Sequence, residues 1–243
     1  CKTHNIKTPR RHFYKMRLCS GCALCKAINH PVPSKVPKRP IPRPFGDAST
    51  KHDKNLAAPF AHISIDTCGP ITPRSHHGSN FFHVFVCKHT GFIHAACTRL
   101  KSDVAQCFID FHRSHVENRG FKTKIVRTDG ALELTRSKLQ RFLVLKGIRT
   151  EVTPPFSSFA NAHAERAIRT VTEGVRTLLT DAGVATKFWS CAVATFTHVF
   201  NRVPRLRKRA PLHIITGNKP KIDHIRIFGS RCHVFVHPQG RLK

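Results

Sequence analysis

The chain has 243 residues, of which 40% are apolar and 8% aromatic; it is long enough for one full core with appendages, and its composition excludes a wholly disordered polymer. Forty-two Lys and Arg against 13 Asp and Glu give a formal net charge of +29, which calls for a polyanionic partner. Residues 1–60 hold 13 basic and 2 acidic residues and 204–243 hold 10 and 1, so basic arms flank a more ordinary middle with 19 and 10.

In chain order, the first segment (1–30) carries Cys19 and Cys22 in a C-x-x-C pair, with Cys25 three residues on and His4 and His12 upstream. Two cysteines at that spacing suit one half of a tetrahedral structural zinc site, with free thiols in a truncated head as the equal alternative. The ten cysteines otherwise stand singly in apolar sequence, as reduced thiols of an intracellular protein do. With Cys1 first and Met16 its only methionine, the chain reads as a fragment or processed product. Six prolines between Pro31 and Pro44, mixed with Lys and Arg, make 31–58 an extended linker.

From residue 59 a folded core is expected, ending near 204. His62 to Asp66 alternates as a strand closed by Gly69-Pro70, and Phe81 to Lys88 and Phe92 to Leu100 read as two more, with Thr90-Gly91 turning between them. Ser102-Asp103 offers an N-cap to a helix running to Gly120 through Val104, Cys107, Phe108, Phe111 and Val116. Lys124 to Thr128 is a fourth strand, Leu139 to Leu145 a helix ended by Gly147, and Ile148 to Val152 a fifth strand. Ile168, Val171, Val175, Leu178 and Leu179 stripe one long helix, Gly183 ends it, and Phe188, Trp189, Ala192, Val193, Phe196 and Phe200 stripe another. Strands first, then strands alternating with helices, predict an α/β fold with a mixed five-stranded sheet flanked by helices. The basic run Arg205 to Arg209 opens a C-terminal extension (205–243) that ends in a strand at Cys232 to Val236. The longest nearly uncharged apolar stretch, Phe188 to Phe200, is too short and too polar to span a bilayer, and no membrane partner is expected.

Among so few acids, three sit where chemistry could use them. Asp66 ends the first strand, Asp129 follows the fourth, and Glu165 lies in the first turn of the long helix, with 35 residues between the last two. Carboxylate oxygens in an open cleft suit Mg²⁺ or Mn²⁺, and two such ions about 4 Å apart stabilise the attacking and leaving oxygens of an in-line displacement at phosphorus. Taken singly, Asp66 and Asp129 are also ordinary strand-end turn formers, and Glu165 with Arg169 an ordinary i,i+4 pair.

Asp66-Thr67-Cys68-Gly69-Pro70, Arg127-Thr128-Asp129-Gly130 with Glu133, and Asn161-Ala162-His163-Ala164-Glu165-Arg166 followed by Arg169-Thr170 resemble the catalytic motifs of retroviral-type integrases, with their Asp, Asp-35-Glu pattern. Phe188-Trp189, Asn201-Arg202-Val203-Pro204, Ala210-Pro211-Leu212, Gly217-Asn218-Lys219-Pro220 and Ile227-Phe228-Gly229 are similar to the copia branch, the Pol polyproteins of LTR retrotransposons. The resemblance covers nearly the whole chain. It implies an RNase H-like fold, a two-metal site on Asp66, Asp129 and Glu165, and insertion of linear element DNA into target DNA by a homo-oligomer. It also implies a zinc head using Cys19 and Cys22, residence in a cytoplasmic virus-like particle, and entry to the nucleus for integration. On the long helix, Glu165, Arg169, Thr172 and Arg176 lie within about 40° of one line, a row able to follow a phosphate backbone. Arg169 and Arg176 of that row, together with Arg166 and Asn161, are the expected DNA contacts, and Phe156 and Phe159 of the preceding loop either pack or touch DNA. Two departures from the family pattern, Gly130-Ala131-Leu132-Glu133 in place of Asn-Gly-Gly-Glu and Ala162 in place of Gly, stiffen loops that approach DNA. Rival readings are a catalytically decayed copy, a non-enzymatic nucleic-acid-binding protein, and a nuclease on the same fold.

Overall fold

The computed structural model describes residues 58–129, 138–153, 161–205 and 209–232. The expected zinc head with Cys19 and Cys22, the linker, the segment after Asp129, the loop with Phe156 and Phe159, and most of the strand expected at the C-terminus lie outside them.

Five strands form one sheet: β1 (His62–Cys68), β2 (Phe81–Cys87), β3 (Ile93–Thr98), β4 (Ile125–Asp129) and β5 (Arg149–Thr153). Their spatial order is β3-β2-β1-β4-β5. β1, β2 and β3 pair antiparallel as a meander, while β4 lies parallel to β1 and β5 parallel to β4. This is the mixed five-stranded sheet expected. The helices are α1 (Val104–Phe111), α2 (Lys138–Leu145), α3 (Ala162–Ala182), α4 (Trp189–Arg202) and α5 (Pro211–Thr216).

The period-2 alternation of the strands separates two cores. One face presents Ile63, Ile65, Phe85 and Val126 to Phe108, Phe111, Leu139, Phe142 and Leu143 of α1 and α2. Phe60 lies at its centre, fully buried, with the rings of Phe92, Phe111 and Phe121 around it at 5.6–6.0 Å. The other face presents Phe82, Val84, Val86 and Ile93 to Ala167, Val171 and Val175 of α3 and to Trp189, Ala192 and Val193 of α4. Each fully buried side chain of this size contributes about 1.5–3 kcal/mol. The two helices of the second face pack closely because α3 has Gly174 at the crossing, where an added Cβ would fall 2.0 Å from the Phe196 ring.

Three local differences from the sequence expectations have physical causes. The helix after β3 does not run regularly to Gly120. It becomes a π turn at His112–Val116 and a 3₁₀ turn at Glu117–Arg119, which buries both His112 and Val116. Gly120 then stops it in the left-handed conformation, φ +73°. At the helix start, the carboxylate of Asp103 accepts the N–H of Leu100 (3.2 Å) instead of an N–H of the helix. A fifth helix, α5, was not expected; its six residues are too few for a periodic stripe, although Pro211 opens it and Gly217 (φ +74°) closes it.

The motif Asn201-Arg202-Val203-Pro204 has a structural use. Ile93 of β3 donates its N–H to Asn201 Oδ1 (3.0 Å), and Asn201 Nδ2 donates to the Ile93 carbonyl (2.7 Å), tying the end of α4 to the outermost strand. The first residue of the basic run is tied down as well: the Arg205 guanidinium lies 3.8 Å over the Phe200 ring. Among the described residues no helix is long and apolar enough to cross a membrane.

Candidate active site

Strand pairing brings two of the three acids level. Successive pairs from His62 with Ile125 to Ile65 with Thr128 keep one offset, so the next step sets Asp66 beside Asp129, one strand spacing of about 5 Å away. Asp129 is also the last residue of β4, paired with Thr153. Across the other neighbour Asp66 pairs with Val84, whose face carries α3, so alternation turns Asp66 toward that helix. The Thr67 N–H donates to Asp66 Oδ1 (2.7 Å) and helps fix the carboxylate.

The third acid arrives on α3. Asn161 stands at the helix N-cap, only 3% exposed, and its Nδ2 donates to the carbonyl of Ile65 (3.2 Å), the residue before Asp66. Its own carbonyl accepts the N–H groups of Ala164 (3.0 Å) and Glu165 (3.2 Å). One residue therefore fastens both the strand that carries Asp66 and the first turn of the helix. Ala164 and Ala167 are fully buried, which leaves Glu165 exposed one turn beyond the anchor, about 5.4 Å along the axis. The carboxamide of Asn161 is turned inward, so the part it plays in the site is to position the helix. A second buried atom of the same side chain, Oδ1, has no hydrogen-bond partner among the described residues.

The basic residues divide in two. Arg169 and Arg176, of the row named from the sequence, are exposed on α3, and so is Arg166. Arg166 reaches back to the carbonyl of Ala162 (2.8 Å). Burial and the Asp66 carboxylate raise the Cys68 thiol above its usual range, and the Arg176 cation opposes them, so Arg176 and Asp66 act on one locality. The second group was not foreseen. Arg127 donates through Nε to Glu151 Oε2 (3.0 Å) across β4 and β5, and with Lys88 and His163 it acts electrostatically on the buried His62. Burial, then Lys88 and Arg127, lower His62 to about 4; burial, Arg166, Lys88 and Arg127 lower His163 to about 4. Alternation could have revealed this set, because Arg127 and Asp129 are two apart on one strand and share a face.

Behind Asp66 a second unforeseen chain crosses the meander. Thr98 donates its hydroxyl to the Leu100 carbonyl (2.8 Å), so it must accept from His83 Nε2 (2.8 Å). His83 Nδ1 is left to accept from the Thr67 hydroxyl (2.9 Å). His83 is fully buried and desolvation holds it near pKa 4, a neutral imidazole of one tautomer that supports the residue next to Asp66.

Among the described residues no group of three or more His, Cys, Asp or Glu surrounds a metal position; the Asp129 side chain is not among those described. The donor set suits a hard cation all the same: two carboxylates on adjacent strands and one on a helix pinned beside them, oxygen ligands only.

No family model matches the chain. Over 183 residues it is 31% identical to the retrovirus-related Pol polyprotein from transposon TNT 1-94 of Nicotiana tabacum, covering 74% of this chain and 14% of that protein. Over 235 residues it is 28% identical to the retrovirus-related Pol polyproteins from transposons RE1 and RE2 of Arabidopsis thaliana, covering 95% of this chain and 14% and 15% of theirs. The chain thus spans about one seventh of the curated relatives it matches. Among solved structures, the catalytic core domain of BIV integrase aligns with a TM-score of 0.49 at 14% identity, covering 65% of this chain and 95% of that one.

Proposed function

We propose that this chain, which belongs to the retrovirus-related Pol polyproteins of copia-type transposons and corresponds to their integrase region, joins DNA by metal-dependent strand transfer. The observation that carries the reading is the β1–β4 register, which ends on Ile65 with Thr128, one residue before Asp66 and Asp129, beside a helix that Asn161 pins to Ile65 and that carries Glu165 in its first turn.

Asp66, Asp129 and Glu165 would hold Mg²⁺ or Mn²⁺, which when bound lowers the barrier at phosphorus by polarising the phosphodiester and favouring an ionised attacking 3′-hydroxyl. The chain's own contribution is placement. The Thr67 amide orients Asp66, Asn161 sets the height of Glu165, and exposed Arg166, Arg169 and Arg176 lay a DNA strand along α3 by its phosphates. The basic arms supply most of the non-specific attraction, which weakens steeply with salt. Around this core the proposal sets a zinc head (1–30) held by Cys19 and Cys22, a linker (31–58), a catalytic core (59–204) and a basic extension (205–243). The protein acts as a homo-oligomer on DNA, inside the cell, passing from a cytoplasmic particle to the nucleus.

The test is strand transfer from a duplex with element ends into a plasmid, in Mg²⁺ or Mn²⁺, for the unchanged protein and for Asp66→Asn and Glu165→Gln. Both substitutions nearly preserve shape while removing an anionic ligand, so joining should fall by several orders of magnitude and DNA binding should persist. Binding without joining by the unchanged protein under either metal would mark this copy as a catalytically decayed relative. Joining by both variants would remove these carboxylates from the mechanism.

A further inference from the structure

Asp66 faces α3, so by alternation its neighbour Thr67 faces the other way, on the side of Ile63, Ile65, α1 and α2. His83, level with Thr67 and two residues before Phe85 on β2, faces that side as well. An imidazole there differs from its surroundings. The layer is mostly apolar, His83 is fully buried, and burial lowers it to about 4, a neutral ring at physiological pH. A leucine would fill the same place without desolvating two nitrogens.

Both nitrogens are used, and the order of donors is forced. The Leu100 carbonyl can only accept, so Thr98 gives its proton there (2.8 Å) and takes one from His83 Nε2 (2.8 Å). His83 Nδ1 is left bare and takes the Thr67 hydroxyl proton (2.9 Å). Thr67 is thus clamped by its side chain on one face while its N–H donates to Asp66 Oδ1 (2.7 Å). The clamp sits where β1 is least supported. Pairing with β4 ends at Ile65, pairing with β2 alone carries the strand on, and the strand ends at Cys68. The peptide joining Asp66 to Thr67 therefore has a strand partner on one side only, and any rocking of it would swing the amide that aims the carboxylate.

We infer that His83 is a positioning residue for the divalent ion: through Thr67 it fixes the angle at which Asp66 presents its carboxylate, and so sets the affinity of the cleft for the metal. His83 lies on the opposite face of the sheet from Asp66, so its part is support and not contact with the reacting atoms. This role rests on the metal site proposed for Asp66, Asp129 and Glu165, and titration of the metal alone, without DNA, tells failure of one from failure of the other.

The probe is Mn²⁺, titrated by calorimetry into the full chain, with Asp66→Asn marking the binding that belongs to the cleft. Thr67→Val removes only a hydroxyl, at a half-buried position, and keeps a β-branched shape suited to a strand. His83→Leu fills the place of the ring without its nitrogens, and His83→Gln restores one donor and one acceptor. Thermal unfolding shows which variants are folded. Cleft affinity should fall about tenfold in Thr67→Val and in His83→Leu, the low end of what loss of an outer partner of a metal ligand costs. The double variant should be no weaker than the weaker single, and His83→Gln should regain most of the affinity. Nitrogen NMR of the unchanged protein at neutral pH should show His83 protonated at Nε2 and bare at Nδ1. Unchanged affinity in folded Thr67→Val would overturn the role, whether or not His83→Leu folds. Losses that multiply in the double variant would also overturn it, because the two residues would then act separately. The opposite tautomer would break the order of donors and overturn it too. If the unchanged protein binds no Mn²⁺ that Asp66→Asn abolishes, the metal site itself falls, and this role with it.

Discussion

The two faces of the sheet are built from different materials. Beneath α1 and α2 the core is aromatic, with Phe60, Phe85, Phe108 and Phe111 each no more than 2% exposed, Phe60 edge to face with Phe111, Phe85 edge to face with Phe108, and Phe85 tilted against Phe111. Beneath α3 and α4 it is made mostly of Val and Ala, with Phe82, Ile93 and Trp189 among them, and a glycine stands at the helix crossing. Large rings fill space without help from the backbone, whereas small side chains need the backbones themselves to approach. The thin layer is also the one through which α3, with Glu165 in its first turn, is tied to β1, since Ala164 and Ala167 are buried there and Asn161 bonds to Ile65. Stability and the placement of that helix are therefore carried by opposite faces.

That division can be broken from the heavy side first. Phe108→Ala deletes a fully buried ring among Phe85, Phe111 and Phe142 and should cost about 3–5 kcal/mol in denaturant unfolding. If the loss is under about 1 kcal/mol, the aromatic face is not the dominant core.

On the thin side, Gly174→Ala should cost about 1–3 kcal/mol by overpacking, despite the gain in helix propensity, because its Cβ would meet the Phe196 ring. Pairing it with Phe196→Leu should recover part of the loss, and a double mutant no better than the single would show that the helices are not in contact there. Smallest is Glu151→Gln. Its bond to Arg127 joins side chains that are 27% and 30% exposed, so solvent screening limits the cost to about 0–1 kcal/mol. The Arg127 partner holds the Glu151 carboxyl below its usual range against the opposing effect of burial, so whatever stability the pair adds is present at neutral pH and lost as pH falls through that lowered value. Acid titration of the variant and the unchanged protein should therefore converge at low pH.

Much of the sheet was legible in the sequence because strands on a two-sided core alternate, and His62 to Asp66 shows that alternation plainly. The carboxylates stood out for a related reason: acids are rare in this chain, and Asp129 ends β4 and Glu165 lies in the first turn of α3, whereas β1 runs two residues past Asp66 to Cys68 instead of ending there. What escaped was long-range or short. The bonds from His83 to Thr67 and Thr98 and from Arg127 to Glu151 join residues 15 to 24 apart, and no local period signals them. Asn161 shows the reverse difficulty. Its place beside the helix that carries Glu165 suggested a side chain reaching out to DNA, but only the packed structure reveals that its amide is spent inward on Ile65.

The bonds between Asn201 and Ile93 have a consequence at the level of solubility. β3 is an outer strand of the sheet, and an outer strand exposes unpaired N–H and C=O groups on which another chain can add a strand. By occupying both groups of Ile93 from the side, Asn201 removes one rung of that ladder where it would begin. If the chain gathers in several copies on a nucleic acid, as the proposed function implies, crowding on a shared polyanion raises the chance that neighbouring sheets meet edge to edge. A single carboxamide at the end of α4 thus helps keep such an assembly from becoming an aggregate.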